Sequence, residues 1–523
     1  ARFWGAPNIA RKPGLKAVEL FEAAARGDIK VLWIMATNPL ASLPDANRVR
    51  EALSRVETVI VSDVVTDNDT LAYADLILPA LAWGEKDGTV TNSERCLSRQ
   101  RGFLVPPGEA KPDWWAMAET GKRLGFDCAF DYAGPAEIFA EHAALSAFEP
   151  APNRQFNLSP LMNMDRREYD DLEPMQWPFE ASGRSRTRLF CDGHFATLDG
   201  RARFIPVTPA EPDAAKGQLR LNTGRLRDQW HTMTRTGMVN RLGQHRPDFC
   251  LTLHPTDATE RGLTEGQPVR ITNTLGHFVA LLALDTAQRR GDAFAPMHWN
   301  ATFAAEGGVA NVIPPVVDPQ SGQPETKHAV VEVEALTIQC SGTYIGDQLP
   351  EPLSQGAIWF KRALGKQWLW TMFYTQKTVS DVSKHWQRIA PDTSITLSDS
   401  DQHWFHQASP PGQSPAFWLA LSDGQRPELD TDWLLTHWQH DNVPLDDWLA
   451  GKPGEADSRG NLICTCYSVY DRDIESYLAQ HSGAGLEEVQ RALKCSTQCG
   501  SCLEEVTHHI QQYALASSEV ASA

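Results

Sequence analysis

The stretch Val31-Leu32-Trp33-Ile34-Met35-Ala36-Thr37-Asn38-Pro39 decides the fold class. Its apolar run is too short for a helix and shows no polar alternation, the pattern of a strand buried on both faces. Ahead of it, Gly14 to Gly27 places Leu15, Val18, Phe21 and Ala25 on one helical stripe, with Gly27 as a C-cap. Behind it, Asp45 offers an N-cap for a helix through about Arg55. Thr58 to Val61 and Leu76 to Leu78 repeat the strand pattern, ending in Ser62-Asp63 and in Pro79. Apolar strands alternating with helices predict a parallel sheet covered on both faces. In such sheets ligands bind beyond the carboxyl ends of the strands, where Thr37-Asn38 and Ser62-Asp63 fall. No G-x-G-x-x-G follows any of these strands, so the phosphate loop of a nicotinamide dehydrogenase is missing.

With 523 residues and 42% hydrophobic composition, the chain exceeds one core and should fold as about three or four domains. A net charge of -18 repels phosphate backbones and argues against a nucleic-acid partner. No apolar run reaches the roughly 18 residues that a membrane-spanning helix needs, so no membrane association is expected. The start Ala1-Arg2-Phe3-Trp4 lacks a basic n-region and an apolar h-region. Five of the ten cysteines crowd between 464 and 502, while Cys96, Cys128, Cys191, Cys250 and Cys340 are scattered. That distribution suits a metal site plus reduced thiols, hence a reducing compartment.

The expected class is therefore multidomain α/β plus all-β. Residues 1–150 carry the parallel sheet and 151–216 are a connecting segment rich in Pro, Asn and Arg. Residues 217–340 read as a compact β-barrel, with short strands at Gln218 to Asn222, Cys250 to Leu253, Val269 to Asn273, Phe278 to Leu284 and Val330 to Val333. Residues 341–460 hold nine of the seventeen tryptophans, an exposed loop at Ser409 to Ser414 and no assignable chemistry.

Residues 461–515 form a small helical domain around thiols. Cys464-Thr465-Cys466 and Cys499-Gly500-Ser501-Cys502 flank two predicted helices, Asp471 to His481 and Leu486 to Lys494, with a Gly483-Ala484-Gly485 turn between them. A helical hairpin of this kind returns the chain to its start, so four thiolates converge, with Cys495 a fifth thiol nearby. Such a set binds either zinc or an iron-sulfur cluster. Zinc sites usually take both pairs from C-x₂₋₄-C knuckles. A CxC pair meeting a distant CxxC pair is instead similar to the bacterioferritin-associated-ferredoxin type of 2Fe-2S domain, whose role would be electron entry.

Two further groups of motifs carry a second resemblance. The first comprises Thr37-Asn38-Pro39, Ser42-Leu43-Pro44-Asp45, Ser62-Asp63, Tyr73 to Ala80, and Trp83-Gly84-Glu85-Lys86-Asp87-Gly88 leading to Thr91 to Arg95. The second is Thr223-Gly224-Arg225 followed by Trp230-His231-Thr232-Met233-Thr234. Together, over about residues 1 to 335, they resemble the molybdopterin oxidoreductase superfamily. The resemblance implies a parallel-sheet pterin-dinucleotide-binding domain and a double-psi β-barrel. It implies that Asn38, Ser62 and Asp63 read the guanosine end of one dinucleotide, with Lys86 and Asp113 completing that site. Thr223, Gly224, Arg225, Trp230, His231 and Thr232 would line the loop for pterin and phosphates, and Asn311 and Lys327 match later contacts. His298-Trp299 falls near the family's substrate funnel, but Phe303 to Gly308 looks like an insertion before Asn311, so no substrate contact is assigned.

Within that superfamily, a terminal 2Fe-2S domain and Ser42-Leu43-Pro44-Asp45 after Asn38-Pro39 resemble assimilatory nitrate reductases. The implied cofactors are molybdenum bis(molybdopterin guanine dinucleotide) and a 2Fe-2S cluster. A 4Fe-4S cluster and the molybdenum ligand would belong to an N-terminal part outside this chain, since no cysteine precedes Cys96, which reads as a structural thiol. The implied partners are nitrate and an electron donor protein: a flavoprotein NADH-dependent reductase, ferredoxin or flavodoxin. Formate dehydrogenase and a molybdenum-free electron-transfer subunit are the alternatives.

Overall fold

A computed structural model describes residues 1–150, 154–179, 188–206, 217–389, 394–400, 403–408, 417–424, 429–430, 433–434 and 459–522. The loop expected at Ser409 to Ser414 and parts of the 151–216 connecting segment lie outside these residues. The chain forms two compact units, one of residues 1–37 with 52–212, the other of 38–51 with 213–523.

In the first unit, β1 (Val31–Met35), β2 (Thr58–Asp63) and β3 (Leu76–Pro79) form a parallel sheet in the order β1-β2-β3. The helix Ala17–Arg26 buries Phe21, Ala23, Ala24 and Ala25 and ends at Gly27, whose φ of 87° makes the left-handed cap that glycine adopts without a Cβ clash. The expected cover on both faces is only partly realised. β3 is the edge strand, and its Leu76 and Ile77 remain 48% and 47% exposed. A second, antiparallel sheet joins β4 (Gly88–Thr91), β5 (Cys96–Gln100) and β6 (Met175–Gln176). Leu97 of that sheet packs with Phe139, Ala143, Leu158 and Tyr169 in a separate core.

In the second unit, β7 (Leu219–Gly224), β8 (Cys250–Leu253), β9 (Pro268–Thr272), β10 (His277–Leu284), β11 (Asp292–Pro296) and β12 (Ala329–Ala335) close into a barrel in the order β10-β8-β11-β7-β12-β9. β10–β8 and β11–β7 pair in parallel and the other neighbours are antiparallel. Closure removes sheet edges and dries the interior: Leu219, Leu221, Leu251, Leu253, Ile271, Phe278 and Ala293 are fully buried. The sequence reading found five of these strands and missed β11, whose alanines have low strand propensity and are held by the barrel on either side.

The tryptophan-rich region builds a six-stranded antiparallel sheet of β13 (Cys340–Gly346), β14 (Ile358–Leu364), β15 (Gln367–Tyr374), β16 (Ser394–Ser400), β17 (His403–Ala408) and β18 (Phe417–Ser422), ordered β14-β15-β13-β18-β17-β16. The helix Val379–Gln387 buries Val379, Val382 and Trp386 against a core with Trp370, Trp404 and Leu419. Trp370, Trp386 and Trp404 therefore serve as packing volume.

At the C-terminus a two-stranded ribbon, β19 (Leu462–Cys464) and β20 (Val469–Tyr470), leads into helices Asp471–Gln480, Leu486–Leu493 and Leu503–Ser522. The expected helical hairpin is present, followed by a third helix. Among the described residues no helix is long and apolar enough to cross a membrane.

Candidate cofactor-binding sites

The carboxyl end of β2 carries Ser62 and Asp63, both buried. The Trp33 indole N–H donates to Ser62 Oγ at 2.9 Å, fixing the neighbouring strand ends. Asp63 accepts from the Val64 N–H at 2.6 Å and the Asn68 side-chain amide at 2.9 Å. Burial nevertheless lifts its carboxyl above the ordinary carboxylate range, and the nearby Asp113 carboxyl pushes the same way. Asp113 opens the helix Asp113–Arg123 and pairs with Lys86 Nζ at 2.9 Å, while its Oδ1 is buried with no hydrogen-bond partner among the described residues. The structure thus places the buried Ser62-Asp63 strand end near Asp113, which pairs in turn with Lys86. An orphaned buried acceptor calls for a donor. The amino and ring N–H groups of a guanine are donors of the required kind.

Asn38 is buried in the second unit, where its carbonyl accepts from Ala41 and Ser42 at the head of the short helix Pro39–Ser42. That helix touches the turn Val309–Val312 containing Asn311. Asn311 is itself held by its amide donating to the His277 carbonyl at 3.0 Å and by Arg50 Nη1 donating to its Oδ1 at 3.2 Å.

The loop leaving β7 displays Arg225, Trp230 and His231 as exposed side chains while its backbone is pinned from beneath. Gly224 is required here: a Cβ would stand 2.6 Å from the Phe294 ring. Thr223 Oγ1 donates to the Thr326 carbonyl at 2.6 Å, and Lys327 Nζ donates to the Thr223 carbonyl. The fully buried His298 spans the loop: its Nδ1 bonds the His231 carbonyl at 2.6 Å and its Nε2 accepts from the Leu226 N–H at 2.8 Å. These partners fix the neutral tautomer with the proton on Nδ1. Burial also drives the imidazole's proton affinity below its ordinary value. Asn300 Nδ2 donates to the Thr232 carbonyl at 3.3 Å. His231 and Met233 adopt φ of 41° and 62°, so the loop curls in the left-handed region at two non-glycine residues. Sequence reasoning noticed His298 but gave it no role, because a buried histidine anchoring backbone looks in sequence like any core histidine.

In the C-terminal domain the four thiols stand as two pairs. Cys466 Sγ lies 3.4 Å from Cys499 Sγ, and Cys464 shares a hydrogen bond with Cys502. Ser468, Ser496 and Gly500, with φ of 53°, 57° and 74°, bend the segments that present them. Cys464 and Cys502 are buried in the domain core, whereas Cys499 is exposed. Burial, reinforced by the Cys464 contact, pushes the Cys502 thiol up to about 12. Binding a cation reverses that penalty, because the thiolate is the form that ligates. Among the described residues no three metal-binding side chains converge on one point. Two pairs of thiolates match the ligand set of a two-iron cluster, one pair for each iron. Cys495 is fully buried and burial pushes its thiol up to about 11, which suits a packed protonated thiol.

Three segments of the chain match known families. Residues 1–123 match the molybdopterin oxidoreductase family, 219–330 the molydopterin dinucleotide binding domain and 462–512 the BFD-like [2Fe-2S] binding domain. A nitrate reductase from Klebsiella oxytoca is 40% identical over 97% of this chain and 58% of its own length. A nitrate reductase from Shewanella frigidimarina is 34% identical over 98% of the chain and 58% of its own length. The F420-dependent formate dehydrogenase subunit alpha of Methanocaldococcus jannaschii is 28% identical over 62% of the chain and 46% of its own. The chain thus spans 58% of the length of the two nitrate reductases it matches. It belongs to the molybdopterin oxidoreductases, and carries in order a molybdopterin oxidoreductase segment, a dinucleotide-binding barrel and a BFD-like [2Fe-2S]-binding domain.

Proposed function

We propose that the full-length protein reduces nitrate to nitrite for assimilation, nitrate taking up two protons and two electrons to give nitrite and water. The observation that carries this reading is the extent of the matches. Similarity to the two nitrate reductases runs over 97% and 98% of the chain, C-terminal domain included, whereas similarity to the formate dehydrogenase covers 62%. When bound, molybdenum held by two pterin guanine dinucleotides supplies the oxygen-atom transfer.

The chain's own residues bind and orient. Asp63, with Ser62, Lys86 and Asp113, receives the guanine donors of one dinucleotide. The barrel, read as a double-psi barrel, offers Thr223, Gly224, Arg225, Trp230, His231 and Thr232 to pterin and phosphates, with Asn311 and Lys327 as later contacts. His298 keeps that loop in one conformation, so its donors need no reorganisation on binding. Cys464, Cys466, Cys499 and Cys502 ligate the cluster, and exposed Cys499 marks the face toward a cytoplasmic donor: a flavoprotein reductase, ferredoxin or flavodoxin. The domains run 1–150, 151–216, 217–340, 341–460 and 461–515, with 341–460 a tryptophan-rich domain.

Metal analysis of the full-length protein, with viologen-coupled assays on nitrate and formate, tests the reading. Molybdenum together with nitrate-dependent oxidation of reduced methyl viologen is expected. A molybdenum-free protein, or turnover of formate alone, overturns it.

A further inference from the structure

The cysteine domain sits against the segments that follow β7 through a polar seam. Arg227 directs Nη1 to Glu505 at 2.5 Å and Nη2 to the Ile463 carbonyl at 2.6 Å. Arg241 Nη2 donates to the Cys466 carbonyl at 2.5 Å. Thr465 Oγ1 donates to Asp228 at 3.0 Å, and His245 Nε2 lies 2.8 Å from Glu505. The Arg227 and His245 contacts are sheltered, with those side chains 16% and 11% exposed, whereas Arg241 reaches the Cys466 carbonyl from the surface.

Two guanidiniums of the barrel thus grip the carbonyls that bracket Cys464-Thr465-Cys466. The same Arg227 lies two residues beyond Arg225, so the grip on the cysteine loop and the loop curled over His298 are one segment of chain. We propose that Arg227 and Arg241 are positioning residues that fix the cysteine loop against the barrel and raise the reduction potential of the cluster it ligates. The proposal rests on the thiols binding a 2Fe-2S cluster.

Reduction of such a cluster adds one negative charge to a thiolate-ligated centre. A cation and N–H groups aimed at the ligand peptides stabilise that added charge. Asp228 and Glu505 neutralise part of the seam, yet both are themselves tied to Arg227, His245 and Thr465, and the side-chain donation to the Ile463 and Cys466 carbonyls comes from the arginines.

The test is a potentiometric titration of the cluster's electron paramagnetic resonance signal in the full-length holoenzyme, comparing Arg227→Gln, Arg241→Gln, the double variant and Arg227→Lys. At a fixed ambient potential each glutamine variant should lower the reduced-to-oxidised ratio by roughly threefold to tenfold, tenfold being about 59 mV for one electron. Arg227→Lys, which keeps the charge but not the two-pronged donation, should fall between. Molybdenum content should not change. Full cluster occupancy at the unaltered midpoint in the double variant overturns the proposal. Loss of the cluster from every variant, Arg227→Lys included, reduces the seam to a folding role and overturns it too. A missing signal in the unsubstituted protein instead refutes the cluster.

Discussion

The loop over the barrel and the loops of the cysteine domain are both curled, left-handed in places and rich in function, but they are held by different means. The barrel loop rests on a closed, dry core and on His298, which satisfies backbone groups at both of its ends. The cysteine loops have a far smaller core behind them, in which Ile463, Val469, Ile474, Leu478, Val489 and Val506 pack beside the thiols themselves. A domain of this size buries little surface, so metal ligation must contribute to its folding free energy. One loop is preorganised by protein alone and the other by protein plus cluster.

The largest effect should come from removing a buried ligand. Cys464→Ser should abolish the visible and paramagnetic signals of the cluster and open residues 459–515 to protease, while the barrel keeps its unfolding midpoint. A protease-resistant, iron-free domain would break the contrast. Next, His298→Ala strands the Leu226 N–H and the His231 carbonyl and leaves a void, costing roughly 3–5 kcal/mol. Denaturant unfolding of the barrel should register that loss with cluster occupancy intact, and an unchanged midpoint would show that the loop stands without its anchor. A smaller effect is expected at Asp63→Asn, which exchanges a carboxylate acceptor for an amide. Retained guanine dinucleotide, measured after denaturing release, should fall by roughly tenfold to a hundredfold, equivalent to about 1.4–2.7 kcal/mol. Full retention would remove Asp63 from the guanosine site.

Much of this was legible in sequence, for identifiable reasons. Val31 to Met35 is found where expected because a short, wholly apolar run has few other folds open to it. The approach of the two cysteine pairs was legible because they flank a helical hairpin that returns the chain to its start. β11 was not, since Asp292-Ala293-Phe294-Ala295-Pro296 is a strand only by virtue of β7 and β8 beside it. Nor was the seam: Arg227 and Glu505 stand 278 residues apart, and each reads locally as an ordinary surface charge. The packing role of Trp370, Trp386 and Trp404 also escaped, because tryptophans count the same in a sheet core as around a ligand.

The smallest effect sharpens the contrast by pH. His298 is buried and neutral, its folded proton affinity depressed below the ordinary 6.5. Unfolded chains take up that proton near 6.5 and the fold does not, so the group's contribution is complete above 6.5 and is lost as pH falls below it, by at most about 1.4 kcal/mol per unit. Glu505 behaves otherwise. Burial alone would raise its carboxyl, but His245 and Arg227 outweigh burial and hold it below the ordinary 4.5. Its contribution to the seam is therefore present above 4.5 and lost only as pH falls through the lower folded value. Between pH 6.5 and 4.5 the barrel loop should loosen first, seen as faster amide exchange at Leu226 and Thr232, while protection of residues 463–466 persists. Exchange rising in both segments over the same pH interval would mean that His298 and the seam are one cooperative unit, and that the two loops are not held independently.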